Sequence, residues 1–434
     1  MLVRYSVSPL VLLLAQRTWQ GGAGLVTLLI IAQTLTVEEQ GWYYSFLSFA
    51  AVYTLFDLGL SVVIVQASAH AAVVFTWLPG GYLPKDGSEK IAGLFASASK
   101  HYAWLALAFI IIVYPAGLFF FSNPVDQAIE WRAAWIGLVV VTALSLLPLP
   151  ILAVVEGTGE VAAVTGVRLA QAVLGAAATW IALYLGAGLW ATILMPLSAL
   201  VVGTCWIIRF RPSIIKAVLQ PHQRIDWCTE IWPHQWRLGL SWFSGYLLTQ
   251  TQTLVIFGTG DAAAAGQMGL SLTIGNMLGL ISQSFFVRNV PAMAKAAARK
   301  DWTEMDHLFR RSFWLFCIVY LISAMLLMAF ALLFGQSPFA ARILPAGTFA
   351  GLLVALFAGQ LQAALAMQLR SFRREPLVWI SIAGAAVTAT LSLIVAQPYG
   401  ASAVVVVMVA VQLILVLPLS IFVFVRCNRL WRLN

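Results

Sequence analysis

From Leu169 to Ile208 the chain carries no charged residue, and from Pro376 to Val425 it again carries none. Each stretch is long enough for two membrane spans at roughly 20 residues per span. Between Ser312 and Arg426 the only charges are Arg342, Arg370, Arg373, Arg374 and Glu375. A soluble domain does not need so much uncharged chain. The whole sequence, 434 residues at 61% hydrophobic and 9% charged, has the balance of a polytopic membrane protein. Lipid admits only helices and closed barrels, and runs this long are helices.

Apolar runs between polar breaks predict twelve spans, at 9–35, 41–69, 102–122, 132–155, 164–186, 188–208, 238–259, 264–288, 312–335, 344–369, 376–396 and 399–425. With both termini cytoplasmic, every Lys and Arg except Arg17, Arg132 and Arg342 falls in cytoplasmic loops, tails or helix ends. That asymmetry orients the chain. Parts of the longer cytoplasmic loops, Glu89–Lys100 and Trp227–Trp236, suit helices lying at the interface, with plain connecting loop as the alternative. The basic, apolar N-terminus has no small-residue cleavage site after it, so it is expected to be an uncleaved first span.

The long loop Arg209–Arg237 divides the sequence into an N-terminal lobe (1–210), a cytoplasmic linker (211–237) and a C-terminal lobe (238–434). A shift of about 225 residues lays Gly41 on Gly266 and Asp57 on Ser282, a weak repeat that places the second span over the eighth. The expected fold class is an all-α membrane protein of about twelve helices in two six-helix lobes around a central cavity. Parallel repeats of this kind occur in transporters that bind substrate between their halves.

Composition also excludes functions. The formal charge of +9 sits in short loops between apolar runs, so it speaks for membrane topology and against nucleic acid. The four cysteines fit neither a disulfide framework nor a zinc module. His222, Cys228 and His234 are evenly spaced but do not make a convincing ligand set, so no metal is expected. No nucleophile motif, P-loop or catalytic carboxylate pair is present, and an enzyme is not expected.

Two ionisable residues lie well inside apolar spans, Arg17 and Asp57. A charge at the bilayer centre costs at least about 2.5–3.5 kcal/mol. Arg17 shares a helix face with Gln20, Gly21, Gly24 and Thr27, and its fork of donors suits phosphate. The alternative is a side chain that snorkels to the headgroups. Asp57 shares a face with Tyr53 and Ser61. It is either the ion-pair partner of Arg17, the carrier of a coupling proton or sodium, or part of a packing pair without a transport role. The second half has no charge inside its spans. It offers Gln252 on the seventh, and Asn276 and Gln283 on one face of the eighth, as hydrogen-bonding groups for a sugar or as interhelical glue.

The stretch with Glu39, Gly41 and Tyr43, then FDLGL at Phe56–Leu60 and VIVQ-x-x-x-H at Val63–His70, resembles the bacterial polysaccharide flippases of the Wzx type. So does SQSFFVRNVPAMA from Ser282. These flippases share a superfamily with the multidrug MATE exporters and the lipid II flippases. The resemblance implies an inner-membrane flippase that moves an undecaprenyl-diphosphate-linked oligosaccharide, such as an O-antigen repeat unit, to the periplasmic leaflet by alternating access. It implies no cofactor beyond a coupling H+ or Na+, and polysaccharide polymerase machinery as a partner. The substrate-binding candidates are then Arg17, Gln20, Asp57, Gln252, Asn276 and Gln283, with Arg17 on the diphosphate and Asp57 its partner or the coupling group. Lipid II flippases look richer in intramembrane cations, which makes peptidoglycan precursor a poorer cargo. The competing expectation is a MATE-like exporter of cationic drugs: Asp57 favours it and Arg17 opposes it.

Overall fold

The computed structural model describes residues 9–72, 77–78, 82, 89–122, 129–212, 214, 226–333, 340–372 and 375–433. The side chains of some residues inside its helices, Arg17, Gln20, Cys228 and His234 among them, lie outside that description, as does all of His222. Among the described residues the protein is helical with no strand. Nine helices among these residues are long and apolar enough to cross a membrane, and one of them, Val378–Arg432, is long enough for two spans. With the first helix and the seventh this makes about twelve. The protein is an all-α, multi-pass membrane protein.

In chain order α1 is Pro9–Thr34. α2 is split into Val37–Ala50, Tyr53–Asp57 and Leu60–Ala71. α3 is Glu89–Phe121, and α4 is split into Arg132–Ser145 and Leu149–Gly157. α5 is Val161–Tyr184, and α6 is Leu194–Phe210 behind a 3-10 segment, Gly188–Ile193. α7 is split into Trp232–Thr249 and Thr251–Phe257, and α8 is Ala262–Val287. α9 is Trp302–Leu333, and α10 is Ala346–Arg370. The run Val378–Ala410 bends at Gly400 (φ 69°, ψ −162°), which ends α11 and starts α12. α12 continues through a π-helical turn, Val411–Val416, into Leu417–Leu433.

Three expectations need correction. The second span is not one helix. Leu58 (φ 47°) and Gly59 (φ 69°) are both left-handed, which stops one helix at Asp57 and starts the next at Leu60. Glu89–Lys100 is neither an interfacial helix nor a loop but the first turns of α3, because Ile91, Leu94, Phe95 and Ala98 are buried. Likewise α9 begins at Trp302, ahead of the apolar run, with Met305 buried. Charged residues at these two helix starts read as loop, yet each lies on the exposed side of an amphipathic turn.

Packing divides the chain into two compact units. One comprises Met1–Leu35 with Phe46–Trp242, and the other Thr36–Ser45 with Phe243–Asn434. The first two turns of α2 thus belong with the second half of the sequence. The first unit has an aromatic core in which Trp135 meets Phe46, Phe49 and Phe121 at 5.1–5.3 Å between ring centroids. α3 comes close to α4 there, because a Cβ on Gly117 would lie 2.1 Å from the Trp135 ring. In the second unit Tyr320 is buried against Phe357 and donates to the Leu353 carbonyl at 2.9 Å.

Candidate functional site

In the first unit the break in α2 builds the surroundings of Asp57. The acid is 5% exposed. Ser61 Oγ donates to its Oδ2 at 3.0 Å, and the Tyr102 hydroxyl on α3 donates to its Oδ1. The backbone N–H groups of Gly59 and Ser61 also face the carboxylate. A helix start leaves N–H groups without internal partners, and an acid placed just before it satisfies them. Two left-handed residues in succession put Asp57 at the head of the next helical segment. Leu58 holds that strained backbone by packing on Gly239, where a Cβ would approach its Cδ2 to 2.7 Å. The arrangement can hold a buried carboxylate, and it ties a proton-accepting group to the hand of the backbone beside it.

Arg17 and Gln20 have helical backbone within α1, and their side chains lie outside the described residues. α1 packs along α5, where Trp180 Nε1 donates to Thr27 Oγ1 at 2.8 Å and the Trp19 and Trp180 rings lie 6.0 Å apart.

In the second unit, Gln252 is fully buried beside the break in α7. Its Nε2 donates to the Leu247 carbonyl at 3.3 Å, which caps the end of the preceding segment, and its Oε1 has no partner among the described residues. Gln283 on α8 donates to Gln360 Oε1 on α10. The Gln360 amide lies over Gly279, where a Cβ would come within 2.3 Å of its Nε2. Asn276 lies about two helical turns before Gln283 on the same face. It is half-buried and makes no hydrogen bond among the described residues. The structure therefore engages Gln283 in an interhelical pair, uses half of the Gln252 amide, and leaves Asn276 available.

No protein-family model matches the sequence, and no curated protein does. Solved structures do match in fold. An inward-facing multidrug resistance MATE family transporter of the MOP superfamily aligns with a TM-score of 0.67 at 12% identity, over 95% of this chain and 96% of that one. The lipid II flippase MurJ, in an inward closed conformation, aligns with a TM-score of 0.60 at 13% identity, over 95% and 87%. A MOP superfamily transporter from Pyrococcus furiosus Vc1 aligns with a TM-score of 0.54 at 12% identity, over 97% and 94%. The chain has the MATE transporter fold.

Within the MATE fold, Asp57 lies on α2 and the three second-unit amides lie on α7 and α8. Sequence reasoning missed Tyr102, the closest side-chain partner of Asp57. It stands next to Lys100 and His101, which mark the edge of the apolar run, so it read as a boundary residue. It also missed the contact of Trp19 with Trp180, since the two stand on helices far apart in sequence.

Proposed function

We infer that this protein is a transporter of the flippase kind, and that its cargo is an undecaprenyl-diphosphate-linked oligosaccharide bound for the cell surface. The observation that carries this reading is the second half, whose spans hold amides and no charge, in a fold shared with a lipid II flippase; the buried, hydrogen-bonded Asp57 at a helix break supports coupled transport of either kind. The uncharged spans of the second half offer amides suited to a neutral sugar, and the FDLGL stretch resembles Wzx-type flippases. In this scheme Arg17 holds the diphosphate, and Gln20, Gln252, Asn276 and Gln283 bond sugar hydroxyls. Asp57 takes up a coupling H+ or Na+ as the protein alternates between access to the cytoplasm and to the periplasm. The inner membrane is its place of work, and a polysaccharide polymerase would receive the product.

A second reading is a cation-coupled multidrug exporter. The match to a multidrug MATE transporter favours it, and so does the buried acid.

One experiment separates them. The gene is deleted in its host, and surface polysaccharide, lipid-linked intermediates and drug tolerance are followed. Wild type, Arg17→Ala and Asp57→Ala are then returned at matched membrane levels. Loss of surface polymer, with lipid-linked oligosaccharide trapped on the cytoplasmic leaflet, supports the flippase. Normal polymer with altered drug tolerance overturns it in favour of the exporter.

A further inference from the structure

At the basic end of the second unit, α9, the end of α10 and the last turns of α12 line an open cavity of about 280 Å³. Its apolar wall is Phe309 and Phe424, stacked at 5.7 Å between centroids. Its polar wall carries Gln368, Asn428 and Arg429. Arg432 closes one side through a two-toothed pair with Asp306, the shorter N–O distance being 2.5 Å.

Three features distinguish this cavity from an ordinary gap between helices. Gln368 is 1% exposed, yet its Oε1 has no partner among the described residues. Asn428 Oδ1 is likewise unpartnered there. Arg429 is exposed and makes no ion pair or hydrogen bond among the described residues. Asp306 neutralises Arg432, so the cavity keeps one net positive charge. Buried amide oxygens without donors are costly to maintain, and a free guanidinium beside them is a phosphate ligand in waiting.

The surroundings fix the depth. Trp302 lies 5.8 Å from the Arg432 guanidinium and stacks on Phe372, which in turn meets Trp431. Trp beside Arg at the end of an apolar helix marks the headgroup layer. Arg426, Arg429 and Arg432 follow the uncharged run at three-residue spacing. Basic clusters just beyond a span attract anionic lipid.

We propose that this cavity is a specific site for the headgroup of an anionic glycerophospholipid. Its phosphate sits on Arg429, and its headgroup hydroxyls donate to the amide oxygens of Gln368 and Asn428. The volume, at the small end for ligand pockets, admits a headgroup and leaves the acyl chains on the apolar helix faces outside. The site does not depend on the transported cargo. A bound lipid would clamp α9, α10 and α12 together from the bilayer side.

The test uses the full-length protein, delipidated in detergent, with phosphatidylglycerol, phosphatidylcholine or inorganic phosphate added. Retained lipid is counted by native mass spectrometry, and thermal stability is followed in parallel. Phosphatidylglycerol should be retained selectively and should raise the melting temperature. Arg429→Gln should reduce its affinity roughly fivefold, the scale of one charge contact at a membrane surface. Val425→Trp, which fills the cavity from a half-exposed position in its wall, should abolish retention; its melting temperature without lipid shows whether it is folded. Arg299→Gln removes an exposed charge outside the cavity and should change nothing. Equal retention of both lipids overturns the proposal, as does equal loss in Arg299→Gln and Arg429→Gln. Full stabilisation by inorganic phosphate alone would mean that the site reads free phosphate and not lipid.

Discussion

Gly41 and Gly266 touch: a Cβ on Gly266 would lie 2.7 Å from the Gly41 nitrogen and 3.0 Å from its Cα. On the other side, a Cβ on Gly41 would lie 1.9 Å from the Ala262 carbonyl oxygen. The first turns of α2 and α8 are thus in backbone-to-backbone contact. The neighbours lock the crossing. Trp42 meets Phe257 edge-on at 4.9 Å, and Tyr44 covers Gly269. The buried Gln40 amide donates to the Gly266 carbonyl at 3.0 Å and the Arg342 carbonyl at 3.1 Å. Small residues let helices approach closely in lipid, where no hydrophobic force draws them together.

Substitution at this crossing should therefore be far more damaging than at glycines that face open space. Gly266→Val should lower stability by about 1–3 kcal/mol through overpacking, and Gly41→Ala should do at least as much. Gly359→Ala, with nothing within 4 Å of the new Cβ, should be neutral or slightly stabilising. Thermal unfolding in detergent, read for all three proteins, checks the ranking.

Asp57 should separate folding from transport. Asp57→Ala leaves the Tyr102 hydroxyl buried without its acceptor, a loss of about 1–3 kcal/mol. Asp57→Asn keeps an acceptor oxygen for Tyr102 and removes the charge. It should melt within a few degrees of wild type yet fail to restore surface polysaccharide in the deletion strain. Tyr102→Phe should retain partial transport, because the Ser61 hydroxyl still donates to the carboxylate. Full rescue by Asp57→Asn would reduce the acid to a helix cap.

The number of spans was legible because charge-free runs of span length admit few other structures in lipid. The crossing itself was not: a repeat shift that lays Gly41 on Gly266 makes them equivalent positions and says nothing of contact between them. Handedness was not legible. FDLGL contains a single glycine, and nothing in its letters says that Leu58 also turns left-handed; that depends on room made by Gly239, far away in sequence. Partners between spans were hidden for the same reason. Gln283 read as one of two amides on a face of the eighth span, and only tertiary packing gives it Gln360 as a partner.

The α2 break should be sensitive to backbone chemistry. Gly59→Ala places a Cβ at φ 69° and should cost about 1 kcal/mol. Leu58→Ala keeps the strain and removes the contact with Gly239, so it should cost more. Leu58→Gly relieves the strain and loses the same contact, so it should fall between Leu58→Ala and wild type. Melting temperatures of the three variants test this order, and equal values for Leu58→Ala and Leu58→Gly would show that the backbone carries no strain there.

Arg211, just beyond α6, is 7% exposed and lies over two indoles, 4.7 Å from the Trp77 centroid and 5.4 Å from that of Trp206. Glu160 stands 3.5 Å away. Burial lowers the Arg211 pKa from the usual arginine range, and Glu160 partly offsets that. The two kinds of partner should differ in strength. The Glu160 side chain is 39% exposed, so solvent and salt screen the ion pair to about 0.2–1 kcal/mol. A desolvated guanidinium on an indole face contributes about 2 kcal/mol. Double-mutant cycles should thus give a larger coupling for Arg211 with Trp77 than with Glu160. Raising the salt concentration should shrink the second coupling and leave the first unchanged. Arg211→Lys should recover little of the loss in Arg211→Ala, because a compact ammonium cannot stack on an indole as a planar guanidinium does. A dominant, salt-sensitive coupling to Glu160 would reverse the assignment and make the ion pair the anchor.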